Sequence, residues 1–297
     1  MHTTLVDVPE LQAHLFDADW CVVDCRHDLM DVALGRRQYD EGHIPGAQFA
    51  HLDDDLSGPK TGANGRHPLP DREAMAARFR AWGIDDDTQI VAYDGSGGSF
   101  AVRLWWLARW LGHERVALLD GGWPAWLAQT GWSSTEPPAR PPGRFSARAS
   151  LEETVDAAGV QRLLAAHEAL LVDARAPERY EGRVEPIDPV AGHVPGAVNR
   201  FWQANLAEGR FKPAAQLRAE FEALLAGRPP RQLLAQCGSG TGAGSIRMAN
   251  LGPAPVPVAA KPAPQVSTAR PRCGADLRPA SATGAAEPAP WAPIAWK

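Results

Sequence analysis

Short uninterrupted apolar runs recur along the chain, each four or five residues long. They are Trp20-Cys-Val-Val-Asp24, Ile90-Val-Ala-Tyr-Asp94, Val116-Ala-Leu-Leu119, Leu170-Leu-Val-Asp173 and Leu233-Leu-Ala-Gln-Cys237. Runs with no polar alternation suit strands buried on both faces, as in a parallel sheet. The segments between them carry helical spacing. Ser99 to Leu111 places Val102, Trp105, Trp106 and Trp110 with Leu104, Leu107 and Leu111 at three- and four-residue intervals, with Arg103 and Arg109 expected at the edges of that apolar face. Asp71-Arg-Glu-Ala-Met-Ala-Ala-Arg-Phe reads as a helix capped by its Asp. The segment from Pro213 to Leu225 reads as a helix with an N-terminal Pro. Strands alternating with helices predict an α/β chain whose parallel sheets have helices on both faces.

The pattern repeats. Asp24-Cys-Arg26 is followed by Gly42-His-Ile-Pro-Gly-Ala47, and Asp173-Ala-Arg175 by Gly192-His-Val-Pro-Gly-Ala197. Asp94-Gly-Ser-Gly97 matches Cys237-Gly-Ser-Gly240. Two tandem α/β units are therefore predicted, with Asp94 in the first standing where Cys237 stands in the second. Pro137-Pro-Ala-Arg-Pro-Pro-Gly143 reads as a stiff linker, giving a first domain over 1–136, a linker over 137–149 and a second domain over 150–297.

Composition narrows the setting. A net charge of −5 gives no electrostatic footprint for nucleic acid or anionic membrane. No apolar run approaches a membrane span. The opening Met1-His-Thr-Thr-Leu-Val-Asp7 lacks the basic and apolar regions of a secretory signal, and four cysteines among 297 residues do not make a disulfide framework. A cytoplasmic protein is the expectation. From Leu251 onward ten of the 27 prolines crowd a stretch with six Leu, Ile, Val or Phe residues, so a different composition takes over from about residue 244.

Cys237 is the leading chemical candidate. It ends an apolar strand and opens Gly238-Ser-Gly-Thr-Gly-Ala243, whose small residues allow backbone N–H groups to turn inward around an anion or thiolate. Rival chemistries fail on this loop. A phosphoryl-transferring cysteine loop needs an Arg six residues on, where this chain has Ala243. The loop also fits the glycine pattern of a dinucleotide site, but no ribose-holding Asp or Glu follows at the expected spacing, and no Walker lysine is present. Cys21 and Cys25 read as core thiols, with no metal-ligand spacing around them, and Cys273 carries no assignable role. His43 and His193 accompany the Gly-His-x-Pro-Gly-Ala turn in both halves. Their recurrence in the half without the strand-end cysteine marks them as holders of the turn rather than catalytic bases.

The repeat together with the Cys-Gly-Ser-Gly loop resembles the two-domain rhodanese family, over about residues 5 to 243, and within it the branch that uses 3-mercaptopyruvate. The resemblance implies two rhodanese-like domains, the first inactive and the second catalytic. It also implies transfer of a sulfane sulfur through a persulfide on Cys237, with no cofactor and no metal. The partners it implies are a small sulfur donor, 3-mercaptopyruvate or thiosulfate, and a thiol or cyanide acceptor, with a thioredoxin-like reductant as one such acceptor. Gly238, Gly240 and Thr241 would cradle the transferred sulfur. The neutral Gly238 and Ser239 suit a monoanionic carboxylate donor better than the thiosulfate dianion. Arg179, in Pro177-Glu-Arg-Tyr180, matches one of the family's two donor-binding arginines; the alternative reading is an ion pair with Glu178 or Glu181. The second arginine position falls at Ile187. Ser239, His67 and Asp53 match a relay of that branch.

The chain departs from the family after the loop. Gly244 to Asn250 allows two helical turns before Pro253, Pro255 and Pro257, and a family-like stretch returns at Asp276. That pattern is expected of a reading-frame disturbance between about Thr241 and Asp276, or of a divergent tail. Two rival functions stay open at this point: thiosulfate:cyanide transfer, and a non-catalytic sulfur-carrier module.

Overall fold

The structure is a computed structural model that describes residues 1–237 except Ala63 and Pro189. Gly238, Ser239, Gly240, Thr241, Cys273 and the whole departure from 241 to 276 lie outside the described residues.

The first half builds a five-stranded sheet from β1 (Leu5–Val6), β2 (Trp20–Asp24), β3 (Gln48–Phe49), β4 (Gln89–Tyr93) and β5 (Val116–Leu119), in the order β1-β5-β4-β2-β3. Every pairing is parallel. Its helices are α1 (Val8–His14), α2 (Leu34–Glu41), α3 (Arg72–Ala81), α4 (Ala101–Trp110) and α5 (Gly122–Thr130). The two-residue period of each strand divides the core into two layers. Cys21, Val23, Ile90, Ala92, Val116 and Leu118 face Met75 and Phe79 of α3 and Leu104 and Leu107 of α4. Val22, Val91, Tyr93, Ala117 and Leu119 face Leu11 of α1 and Trp126 of α5. All residues of β2, β4 and β5 are buried, as their unbroken apolar runs require. Asp71 caps α3, its side chain accepting from Ala74 N at 3.0 Å.

In the second half β6 (Leu170–Asp173), β7 (Val198–Asn199) and β10 (Leu233–Gln236) form a parallel sheet in the order β10-β6-β7, the counterpart of β4-β2-β3. Two helices, α6 (Ala157–Ala165) and α8 (Ala214–Leu225), supply its two layers. Phe221 and Leu225 cover Leu170 and Val172, while Val160 covers Leu171. The short α7 (Pro177–Tyr180) follows β6. The hairpin of β8 (Leu206–Ala207) and β9 (Arg210–Phe211) leans onto the first half. Phe211 packs against the first core, and its N–H donates to Asp120 at 2.9 Å.

The repeat extends to individual side chains. Arg26 grips Asp24 through Nε and Nη2, at 2.9 and 2.6 Å, and reaches Gly42 O at 2.7 Å. Arg175 does the same to Asp173 and to Gly192 O, at 2.7 and 2.6 Å. His43 stacks on Tyr39 and bonds its carbonyl, and His193 repeats this on Tyr180. Both histidines hold the Gly-Pro-Gly turn.

The proline-rich segment 137–149 is extended and strapped to the first sheet. Arg140 donates to Ala18 O, Trp20 O and Gly83 O, and Phe145 enters the core. Arg103, expected at the edge of the apolar face of α4, lies inside that face instead. It is 4% exposed, within the helix's buried face.

Candidate functional site

Both loops that matter leave the C-terminal ends of central strands, where open α/β sheets bind ligands. Asp94 directly follows β4 and Cys237 directly follows β10. Around Asp94 the loop shows what this sequence pattern builds. One carboxylate oxygen accepts from Ser96 N (2.7 Å) and Gly98 N (2.9 Å), the other from Phe100 N (2.8 Å) and Ala101 N (2.9 Å). Four backbone N–H groups thus converge on one buried anion at the start of α4. The loop closes because α5 arrives tight against it. Gly121 and Gly122 take φ of +82° and +54°, and a Cβ on Gly122 would lie 2.3 Å from Asp94 O.

Cys237 is partly exposed and packs against the second core. The three described cysteines are thiols, and the other two are inert by environment. Burial pushes Cys21 up to about 12. Burial also drives Cys25 well above an ordinary thiol, and the carboxylates of Asp24, Asp94 and Asp55 add to it.

One first-half side chain, Arg103, lies within electrostatic reach of Cys237. Arg103 of α4 donates to Leu56 O (3.2 Å), His67 O (3.1 Å) and Pro68 O (3.0 Å), clamping both arms of the loop 51–70. It is a buried cation held by carbonyls, and no carboxylate among the described residues pairs with it. Burial pulls its pKa down to about 10, and the charge of the neighbouring Cys237 acts the other way. Sequence reasoning missed it. The available signal was an Arg set between Val102 and Leu104 in a tryptophan-rich apolar segment.

On the clamped loop, His67 Nε2 lies 3.6 Å from Asp53 Oδ1, and Asp53 also receives Lys60 Nζ at 2.7 Å. Asp53 and His67 are therefore brought together, although their separation is longer than a hydrogen bond. Burial lowers the His67 pKa to about 4, helped by Arg103 and Arg66 and opposed by Asp53, so the imidazole is neutral at pH 7. Its Nδ1 is buried without a partner among the described residues. The third member of the expected relay, Ser239, lies outside the described residues.

Arg179 stands on α7 and is engaged, but not by the carboxylates anticipated. Its Nε and Nη2 reach Glu185 at 3.1 and 2.7 Å, and Nη2 reaches Asp188 at 2.8 Å. Glu181 pairs instead with Arg183, and Glu178 takes no part. Glu185 is the hub, since Arg175 also touches it at 3.3 Å and the N–H groups of Ile187 and Asp188 donate to it. Arg66, next to His67, crosses from the first half to Asp188 at 3.1 Å. Among the described residues no cluster of His, Cys, Asp and Glu has the makings of a metal site, and no helix is long and apolar enough to cross a membrane.

Fold and site together define an α/β protein with a strand-end anion loop around Asp94, whose Gly-Ser-Gly sequence recurs after the strand-end Cys237. The family model of the Rhodanese-like domain matches residues 7–129. The chain is 47% identical over 239 residues to a probable 3-mercaptopyruvate sulfurtransferase of Pseudomonas aeruginosa, covering 80% of this chain and 84% of that protein. It is 34% identical over 246 residues to the thiosulfate sulfurtransferase of Bos taurus, covering 79% and 77%. The crystal structure of SseA from Escherichia coli, a 3-mercaptopyruvate sulfotransferase, matches at a TM-score of 0.76 and 27% identity, over 88% of this chain and 99% of that one. This chain belongs to the rhodanese family and is a sulfurtransferase.

Proposed function

We propose that the protein takes sulfur from 3-mercaptopyruvate through a persulfide on Cys237 and passes it to a thiol or cyanide, a thioredoxin-like thiol being one such acceptor. The observation that carries this reading is the Asp94 loop. Its backbone N–H groups hold an anion at the end of β4, and the same Gly-Ser-Gly sequence after Cys237 is one that suits a thiolate or persulfide anion. On this reading residues 1–136 form an inactive domain that lines the cleft, 137–149 a linker, and 150–297 the catalytic domain.

In the first step the Cys237 thiolate attacks the donor sulfur. The carbon–sulfur bond breaks, its electron pair stays on carbon as the enolate of pyruvate, and a proton taken up there yields pyruvate. Cys237 is oxidised to the persulfide and the donor carbon is reduced. An acceptor thiolate then attacks the outer sulfur and Cys237 leaves as thiolate. Gly238, Gly240 and Thr241 contribute the cradle, Arg179 binds the donor carboxylate, and Asp53, His67 and Ser239 handle the donor's proton.

Incubation with 3-mercaptopyruvate is expected to add one sulfur mass to the Cys237 peptide and to release pyruvate, with neither event in Cys237→Ser. Release of pyruvate by Cys237→Ser would sink the mechanism. Stoichiometric persulfide without turnover would favour a carrier role instead. The likeness to the bovine enzyme supports thiosulfate as the alternative donor, and side-by-side donor assays at equal concentration separate the two.

A further inference from the structure

Asp53 offers one oxygen to two partners. Lys60 Nζ donates to Oδ1 at 2.7 Å, and His67 Nε2 lies 3.6 Å from the same atom. The first contact is a charge-assisted hydrogen bond, and the second is too long to be one. Lys60 therefore holds the oxygen through which the carboxylate would pair with the imidazole. The three side chains differ sharply in burial: Lys60 is 56% exposed, Asp53 18% and His67 4%. A lysine bridge this exposed contributes little to stability, so opening it costs little. The buried imidazole stands to gain more, since its Nδ1 already lacks a partner among the described residues. A movement of about 0.5 Å would bring Nε2 within hydrogen-bond reach of Oδ1.

We propose that Lys60 is a positioning residue that restrains the relay: by occupying Asp53 Oδ1 it keeps the carboxylate from pairing with His67, and the Asp53–His67 bond forms only as Lys60 swings out to solvent. Lys60 acts through Asp53, and the surrounding charges leave that route open. Arg66, beside His67 in the loop, and Arg103 of α4 face the imidazole as cations and disfavour its protonation. His27, from the loop after β2, faces Asp53 but is itself kept from charging by burial. Asp53 is the group that favours a proton on His67, and Lys60 is the cation bonded to it. With the bridge closed, His67 is a weak base; with it open, the carboxylate strengthens the base that takes the donor's proton. This inference rests on the reading that Asp53 and His67 handle that proton.

The test is a titration of His67 in the full chain by nitrogen NMR of labelled histidine, with the signal assigned by His67→Asn. Lys60→Met keeps the apolar stem and removes the charge. It is expected to raise the His67 pKa by about half a unit to one unit, as Asp53 closes on the imidazole. Lys60→Arg, which keeps the cation, should preserve the wild-type titration. In an Asp53→Asn chain, Lys60→Met should lose most of its effect, because the carboxylate that transmits it is gone. Single-turnover pyruvate release from 3-mercaptopyruvate should become about two- to fivefold faster in Lys60→Met, the gain from a stronger base. An unmoved His67 titration in Lys60→Met overturns the proposal. So does an equal shift in the Asp53→Asn chain, since Lys60 would then act on the imidazole directly. A raised titration without a faster first step would uphold the grip of Lys60 on Asp53 and sink the relay reading itself, a separate failure.

Discussion

Asp94 shows how one residue decides which half of a duplicated chain has room for a thiol. Its carboxylate accepts from four N–H groups, that of Ala101 buried and the others partly so, and a buried donor left unsatisfied costs about 1–3 kcal/mol. Asp94→Ala is therefore expected to destabilise the protein by roughly 3 kcal/mol or more. Asp94→Asn should cost less, since it keeps one acceptor oxygen but turns an amide N–H₂ toward two of the donors. Urea unfolding measures both, and wild-type stability in Asp94→Ala would show that the cradle does not depend on its anion. Cys21, inside β2, and Cys25, directly after it, show the opposite outcome: burial pushes both thiols up, and for Cys25 the nearby carboxylates add to it.

At the scale of elements, α4 links the core to the site. Most of its residues are buried, and its buried Arg103 reaches three carbonyls of the loop 51–70. That loop carries Asp53, Arg66 and His67. Arg103→Met preserves the apolar stem but removes the clamp. It is expected to lower kcat/KM for sulfur transfer by about ten- to hundredfold, the equivalent of losing about 1.5–3 kcal/mol of charge-assisted bonding. Hydrogen exchange should accelerate across residues 51–70 while α3 stays protected. Faster exchange throughout the first sheet would mean that Arg103 supports the core, not the loop.

For the whole molecule, pH dependence follows from histidines held neutral by burial. His67 is lowered to about 4, and His27 and His113 are lowered too, burial being the first cause in each case. A depressed histidine favours the folded state above the unfolded pKa near 6.5. Below that value the unfolded chain gains protons that the folded chain refuses. Stability is thus expected to fall as pH drops from about 6.5 toward 4. Thermal unfolding across that window should show the decline, and His67→Asn should flatten it. A parallel decline in His67→Asn would assign the effect to His27 and His113. The two halves share the consequences, because the β8–β9 hairpin rests on the Asp94 loop: Leu206 lies where a Cβ on Gly97 would be, and Phe211 lies near Gly98.

Much was legible in the linear chain because it depended on local rules. Unbroken apolar runs announced buried parallel strands. The repeat exposed the duplicated Asp-x-Arg grip and its histidine-held turn, and the Asp94–Cys237 correspondence marked the two loops apart. The short strands β1, β3 and β7 carried no such signal, since two paired residues are too few to show a period. Partnership across distance was decided only by tertiary structure. Helical spacing put Arg103 at the edge of an apolar face, but neighbouring loops closed over it and supplied the carbonyls that make its burial tolerable. Sequence neighbours offer Glu178 and Glu181 as the alternative ion-pair partners of the donor-binding candidate Arg179, yet the backbone bends at Pro186 so that Glu185 and Asp188 reach it. Arg66 meets Asp188 across more than a hundred residues. Sequence spacing encodes which side chains share a face of one element, whereas ion pairs between loops depend on how separate elements are packed.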